Sequence, residues 1–180
     1  PRYNGHRDVP LSDRGVAQYH ALKPRLAGLP ISACYTSDLV RSRTGGEIFA
    51  AHLGVEHLVD PSLREMSVGD WEGKTWDELM RDHPEQWRER LSDIVNYRTP
   101  GGENVLDVQA RVMPVIRGIV QRHSGSEVLV VAHGAVNRII LLNAIGAPLS
   151  TLFNIEQSYG CMNIIDYYAD GKSVVKLLNG

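Results

Sequence analysis

A histidine directly follows a buried strand in the stretch E-V-L-V-V-A-H-G-A-V-N-R, residues 127–138. Val128 to Ala132 are apolar and mostly β-branched, which is typical of a strand buried on both faces. Ala135 to Ile145 then predict a helix that Gly146 closes. The turn at His133-Gly134 therefore places an imidazole at the carboxyl edge of a sheet, beside helix amide groups that favour anions. A histidine that merely ends a strand is the alternative interpretation.

Two arginines lie where a helix does not favour positive charge. Thr36-Ser37-Asp38 is a cluster of capping residues, which predicts that a helix begins there. Arg41 and Arg43 fall in its first turns, where their charges oppose the helix dipole. We expect another benefit to keep them in place, although an ordinary surface charge is the simpler interpretation for one arginine alone.

The elements that position these residues alternate between helix and strand. Ser12 is the N-cap of a predicted helix that runs to about Ala27, and a strand is predicted at 31–35. Thr75 to Glu78 form a capping box that begins a helix interrupted at Pro84. A long helix carries a buried apolar stripe at Val105, Val108, Val112, Ile116, Ile119 and Val120.

The chain ends in a predicted hairpin, 161–168 and 172–178, joined by Asp170-Gly171. Alternating strands and helices followed by a hairpin predict a three-layer α/β/α sandwich. Its sheet should be mainly parallel, with an antiparallel edge hairpin. The 180 residues contain no internal repeat and no second-domain linker, so we expect one domain over 1–180.

Composition excludes several classes of function. The formal net charge of -2 argues against a nucleic-acid partner, and no apolar run approaches the roughly 18 residues of a membrane span. Cys34 and Cys161 both lie in strand-like segments, which favours two buried free thiols and a cytoplasmic location. Metal-ligand spacing is absent, so we expect no metal and no cofactor.

Five motifs in order along nearly the whole chain resemble the histidine phosphatase superfamily, also called phosphoglycerate-mutase-like. They are R-Y-N-G-H-R-D-V-P-L-S-D-R-G at 2–15, Y-T-S-D-L-V-R-S-R-T at 35–44, L-R-E-M-S-V-G-D-W-E-G-K-T at 63–75, P-G-G-E-N at 100–104 and V-V-A-H-G at 130–134. The resemblance implies a phosphomonoesterase that forms a phosphohistidine on a small phosphorylated metabolite. The length and the G-D-W-E-G-K-T loop resemble the smaller α-ribazole phosphatase or broad-specificity members.

The resemblance also implies roles for particular residues. His133 and Arg41 would bind the phosphoryl group, and Glu65 would be the acid and base. Arg2, Gly134, Glu103 and Asn104 would border the substrate, with helix capping at least as good an interpretation for Asn104. The alternative for Glu65 is an ion pair with Arg64 or another arginine.

One family motif has no counterpart in residues 1–180. The family begins with a strand ending in Arg-His-Gly, whose histidine is the nucleophile, whereas this sequence begins with a loop. His6 lies within a motif that is downstream of the missing one, so we do not assign it this role. We expect the native protein to supply this strand upstream of Pro1. The alternatives are a phosphoglycerate mutase or a truncated, non-catalytic phosphate binder. Whether the protein forms a homodimer stays open.

Overall fold

Strands and helices alternate along the chain in the computed structural model, which describes residues 2–180. The strands are β1 (Ile31–Thr36), β2 (Glu56–Val59), β3 (Glu127–Val131), β4 (Ile164–Tyr167) and β5 (Ser173–Leu177). The helices are α1 (Asp13–Leu26), α2 (Val40–Leu53), α3 (Trp76–Asp82), α4 (Pro84–Ser92), α5 (Val105–Arg122) and α6 (Gly134–Ile145). Short 3₁₀ segments lie at Pro61–Leu63, Gly69–Trp71 and Leu149–Asn154.

The first three strands form a parallel sheet in the order β2-β1-β3. The last two form an antiparallel hairpin, β4-β5, with the turn at Asp170-Gly171. The predicted α/β class and its mixture of parallel and antiparallel pairing are therefore confirmed. Among residues 2–180 the hairpin is a sheet of its own, because no ladder joins β3 to β4.

Two apolar clusters cover the opposite faces of the parallel sheet, because successive side chains of a strand point to opposite sides. Ala33 and Tyr35 of β1 face a large cluster that includes the stripe of α5 and the buried side of α6. Cys34 faces a smaller cluster with Leu26 of α1 and Phe49 of α2. These are the three layers that the alternation of helices and strands predicts.

A cavity of about 1680 Å³ runs between β3 and β4, and we call it the central cavity. Its lining includes every residue of β3 and every residue of β4. Both faces of β3 pack against the two apolar clusters, as the sequence predicts, although Val128 to Val130 are only half-buried. The apolar, β-branched run correctly predicted the strand itself. The outer edge of β3 borders the cavity rather than another strand.

Local capping signals identify most of the helix starts. The Ser12 hydroxyl accepts the N–H of Gly15, and Thr75 and Asn104 each form a complete capping box. The predicted cap at residues 36–38 is wrong, because α2 begins at Val40 and Leu39 precedes it without a side-chain cap. The residues at 37 and 38 instead bind partners far away in the sequence.

The two cysteines are free, as predicted, although only Cys34 is buried. Burial raises the pKa of the Cys34 thiol to about 12. Cys161 is half-buried and precedes β4 rather than lying in it. Within residues 2–180 no helix is both long and apolar enough to cross a membrane.

Candidate active site

His133 lies where the sequence predicts, between the carboxyl end of β3 and the first turn of α6. Its side chain is almost fully buried, with 7% of the residue exposed. Burial, reinforced by the charges of Arg41 and Arg111, lowers the pKa of His133 to about 3. The imidazole is therefore neutral at physiological pH, and one ring nitrogen donates while the other accepts.

Ser37 fixes the orientation of this ring. Its Oγ lies 2.7 Å from Nε2 of His133, and it also accepts a long bond of 3.4 Å from the N–H of Leu39. Among residues 2–180 the hydroxyl proton of Ser37 has no acceptor besides Nε2, so the serine can donate to Nε2, and the proton of the neutral ring would then lie on Nδ1. Ser37 is fully buried at the end of β1, so this pair brings the two neighbouring strand ends together.

Arg41 lies in the first turn of α2 and holds the loop at residues 5–7. Its Nη1 donates to the carbonyl oxygen of Arg7 at 2.8 Å and its Nη2 to that of Gly5 at 2.7 Å. Burial lowers the pKa of Arg41, and the nearby carboxylate of Glu65 opposes that effect. Three of its five N–H groups remain for a ligand, and Arg41 lines the central cavity together with His133. Arg43, by contrast, is an exposed residue paired with Glu47.

Glu65 reaches the first turn of α6. Its carboxylate accepts the N–H of Ala135 at 3.2 and 3.3 Å, and that of Met66 at 2.8 Å. Gly134 lies next to this carboxylate, because a Cβ atom there would be in ordinary van der Waals contact with Glu65 Oε2 at 3.7 Å. The alternative in which Glu65 pairs with Arg64 is wrong, because Arg64 binds Asp38 at 2.7 Å instead.

The backbone around Glu65 is held by Arg111, which the sequence analysis did not identify. Arg111 Nη2 donates to the carbonyl oxygen of Glu65 at 3.0 Å, and Nη1 to those of Ser62 and Arg64 at 2.7 and 2.8 Å. Its carboxylate partner is Glu103. The sequence did contain a signal for this role: Arg111 is charged although it directly precedes Val112, which belongs to the buried stripe of α5. A charged residue in such a place usually has a specific partner.

His6 provides another contact to the same segment that the sequence analysis did not predict. Its Nε2 lies 2.8 Å from the carbonyl oxygen of Glu65, and its backbone N–H donates to Glu72. His6 is also one of the groups that lower the pKa of His133. His6 therefore borders the candidate site, although the motif in which it lies gave no reason to count it among the site residues.

Three predicted substrate-binding residues have other partners. Arg2 is largely exposed and pairs with Glu78 at 3.1 Å, so it reaches only the rim of the central cavity. Glu103 pairs with Arg111, and although burial acts to raise the pKa of Glu103, this pair gives a net lowering. Asn104 caps α5, the interpretation that the sequence analysis rated at least as highly as substrate binding.

The sequence profile of the histidine phosphatase superfamily, branch 1, matches residues 1–180. The chain belongs to this superfamily. The bifunctional protein Rv2228c of Mycobacterium tuberculosis is 33% identical over 179 residues, an alignment that covers 99% of this chain and 49% of that protein. The chain therefore spans about half the length of this curated relative.

Two further comparisons fit membership of the histidine phosphatase superfamily. The probable phosphoglycerate mutase GpmB of Yersinia pestis is 28% identical over 167 residues, which are 92% of this chain and 77% of the relative. The crystal structure of the α-ribazole phosphatase from Shigella flexneri superposes with a TM-score of 0.89 at 24% identity, covering 99% of this chain and 88% of that one. The structural match confirms the predicted phosphoglycerate-mutase-like fold. These two proteins are named as a probable mutase and a phosphatase, respectively.

Proposed function

We propose that the protein is a phosphomonoester hydrolase that acts through a phosphohistidine on a small phosphorylated metabolite, as an α-ribazole phosphatase does. The observation that carries the proposal is that Arg41, Glu65 and His133 lie close together in the lining of the central cavity. They come from three distant segments of the chain, and together they supply cationic, acidic and neutral imidazole groups. Phosphoryl transfer requires such groups in fixed positions rather than elaborate covalent chemistry.

Two sets of donors can bind the phosphoryl oxygens. The unused N–H groups of Arg41 suit a phosphate, which a guanidinium binds in bidentate fashion. His133 adds its Nδ1–H, and the first turn of α6 adds backbone amides and the positive end of the helix dipole. Because Ser37 fixes the imidazole, this donor is in position before the substrate arrives.

Glu65 would act as both acid and base. A histidine nitrogen attacks phosphorus, the bond from phosphorus to the ester oxygen breaks, and Glu65 gives its proton to that oxygen to release an alcohol. Glu65 then takes a proton from water, which attacks the phosphohistidine. The nitrogen–phosphorus bond breaks and inorganic phosphate leaves, so the enzyme returns to its starting state.

The attacking histidine belongs to a strand that our proposal places outside residues 1–180. Support for its position comes from the central cavity, which β3 and β4 border with edges that make no ladder among residues 2–180. A strand lying parallel to β3 in this cavity would end beside His133. Its backbone groups would pair with both edges and join the two sheets into one.

The experiment that tests the proposal uses the native protein with any segment that precedes Pro1. We expect hydrolysis of simple phosphate esters and an acid-labile, base-stable phosphoenzyme. His133→Asn and Arg41→Met should each reduce turnover about 100-fold or more, as loss of one preorganised donor does. The matched control is Arg43→Met, because Arg43 lies two positions beyond Arg41 but is exposed and should leave turnover unchanged. Normal turnover in the first two variants would contradict the proposal.

A phosphoglycerate mutase is the second candidate, which the 28% identity to GpmB favours. Interconversion of 2- and 3-phosphoglycerate faster than release of inorganic phosphate would support the mutase and overturn the hydrolase. A native protein that binds phosphate esters without turning over any of them would instead be a non-catalytic binder.

A further inference from the structure

The peptide group between Glu65 and Met66 is held from both sides. Its carbonyl oxygen lies 2.8 Å from Nε2 of His6 and accepts a second bond of 3.0 Å from Nη2 of Arg111. Its N–H donates to Oε1 of the Glu65 carboxylate at 2.8 Å. Because a trans peptide group is planar and its carbonyl and N–H point in opposite directions, the contacts that fix the carbonyl oxygen also fix the direction of the N–H.

The carboxylate of Glu65 depends on this peptide group for its orientation. Oε1 accepts the N–H of Met66 at 2.8 Å and that of Ala135 at 3.2 Å. Among residues 2–180 Oε2 accepts only the longer bond of 3.3 Å from Ala135. Glu65 lines the central cavity together with Arg41 and His133. Oε2 is therefore the oxygen that is free to exchange a proton with a ligand in this cavity.

His6 is the more specific of the two groups that bind this carbonyl oxygen. Arg111 also binds two other carbonyl oxygens of the same segment, so it supports the segment as a whole. Among residues 2–180 the ring of His6 forms a hydrogen bond only with Glu65, since Oε2 of Glu103 lies 3.8 Å from the same Nε2. A carbonyl oxygen only accepts, so Nε2 of His6 carries a hydrogen in this contact.

We propose that His6 is a positioning residue that orients Oε2 of Glu65 toward the substrate through the Glu65–Met66 peptide group. This inference rests on the proposed function, because it assumes that Glu65 gives its proton to the ester oxygen and later takes one from water. Without the His6 donor, Arg111 alone would hold the carbonyl oxygen, and the peptide group could rotate. Acid catalysis is sensitive to such a shift, because the acid must lie within hydrogen-bond reach of the ester oxygen.

The experiment measures single-turnover rates of the native protein, with any segment that precedes Pro1, for two esters that differ in their need for an acid. Glycerol 3-phosphate releases an ordinary alcohol, whereas 4-nitrophenyl phosphate releases a group that needs little protonation. His6→Leu should slow the first ester about three- to tenfold, the usual value of one hydrogen bond, and leave the second nearly unchanged. Equal slowing of both esters would show a general structural role and would overturn the inference.

Two further variants separate the hydrogen bond from the space that the ring fills. His6→Gln should retain the wild-type rates, because the glutamine amide takes the place of Nε2 and can donate to the same oxygen. Slowing by His6→Gln equal to that by His6→Leu would contradict a role of this hydrogen bond. His6→Asn should behave like His6→Leu, because its shorter amide does not reach that oxygen, and it carries the test if His6→Leu fails to fold.

His52→Leu is the matched control. Nε2 of His52 also contacts a carbonyl oxygen, that of Lys23 at 3.2 Å, but this contact is exposed. His52 lies in the last turn of α2, at the opposite end of that helix from Arg41. His52→Leu should therefore keep the wild-type rates for both esters.

A double-mutant cycle determines whether His6 acts through Glu65. In a Glu65→Gln background, where position 65 has no proton to give, His6→Leu should cause no further slowing with glycerol 3-phosphate. The same slowing in both backgrounds would overturn the inference, as would a wild-type rate in folded His6→Leu.

Absence of any hydrolysis by the native protein would count against the proposed function instead. The inference is then tested by hydrogen exchange of the Met66 amide, measured by NMR in wild type, His6→Leu and His6→Gln. Exchange should be faster in His6→Leu and unchanged in His6→Gln. A Met66 amide that exchanges as slowly in His6→Leu as in wild type would overturn the inference.

Discussion

At the scale of single residues, the protonation state of His133 is determined by its surroundings rather than by the residue type alone. Burial is the largest cause of its low pKa, and Arg41, Arg111 and His6 add repulsion, while Asp38 acts in the opposite direction. Folding therefore holds the imidazole neutral under conditions where an unfolded chain would protonate it. That difference has a measurable consequence for stability.

We predict that the protein loses stability as the pH falls from about 6.5 toward 3. In that window the unfolded state binds a proton at His133 and the folded state does not, so acid favours unfolding. The loss from this residue between pH 7 and pH 5 should be about 2 kcal/mol. Urea unfolding of wild type and His133→Gln at both pH values measures it. Equal losses in the two proteins would show that His133 is not the group responsible.

Glu65 should determine how strongly turnover depends on the leaving group. Glu65→Gln cannot protonate the departing oxygen, so esters of ordinary alcohols should be slowed far more than a nitrophenyl ester, whose leaving group needs little protonation. Single-turnover rates for both ester types in wild type and variant measure the first step. A burst of nitrophenolate would show that the second step, activation of water, has also slowed. Equal slowing of the first step for both esters would remove Glu65 from the acid role.

At the scale of elements, α2 delivers Arg41 and must therefore pack closely on the sheet. Gly46 provides this contact, because a Cβ atom there would lie 2.3 Å from Thr36 Cγ2 and 2.4 Å from His57 Nε2. Those two side chains are themselves hydrogen-bonded at 2.9 Å, which links the end of β1 to the beginning of β2 beneath the helix. The glycine at this position is a packing requirement of the interface.

Gly46→Ala should consequently destabilise the protein by about 1–3 kcal/mol, the usual cost of adding a methyl group to a filled interior. Gly118→Ala is the matched control, because Gly118 is exposed in α5 and no atom lies within 4 Å of its added Cβ. That substitution should stabilise by about 0.5–1 kcal/mol, since alanine favours a helix over glycine. Thermal unfolding of both variants decides the matter, and a Gly46→Ala protein as stable as wild type would contradict this packing.

At the scale of the whole molecule, the charge that phosphate needs comes from side chains and helix ends. The protein has a net charge of -2, yet Arg41 and the first turn of α6 both line the central cavity beside His133. Among residues 2–180 no group of three or more His, Cys, Asp or Glu is arranged to hold a metal ion. In the proposed mechanism, Arg41 and the backbone amides of α6 would supply the positive charge for the phosphoryl group.

We predict that turnover by the native protein survives incubation with excess EDTA followed by removal of the chelator. The reason is that, in the proposed mechanism, Arg41 and the α6 amides would neutralise the phosphoryl oxygens without a metal. Initial rates before and after treatment, with parallel samples given Mg²⁺ or Zn²⁺, measure the effect. Activity that disappears with EDTA and returns with either metal would contradict the prediction.

The amino-acid sequence by itself determined the elements and the family. Helix caps at Ser12, Thr75 and Asn104, and the stripe of α5, depend on residues three or four positions apart, so the local pattern contains all the information they need. The position of His133 after β3 follows from the same kind of pattern. Motif order along the chain was sufficient to identify the superfamily.

Only the tertiary structure decided how the site is built, because its contacts join residues far apart in the chain. Ser37 and His133 are 96 positions apart, so a residue that looks like a helix cap locally instead orients the imidazole. Arg2 could not be distinguished by motif from a ligand-binding arginine until its ion pair with Glu78 was visible. The burial of Arg90 is equally invisible in the sequence, where its helix resembles a solvated charged surface. A buried polar side chain forms hydrogen bonds with the groups that surround it in the folded protein. Those groups come from distant parts of the sequence, so only folding brings them together.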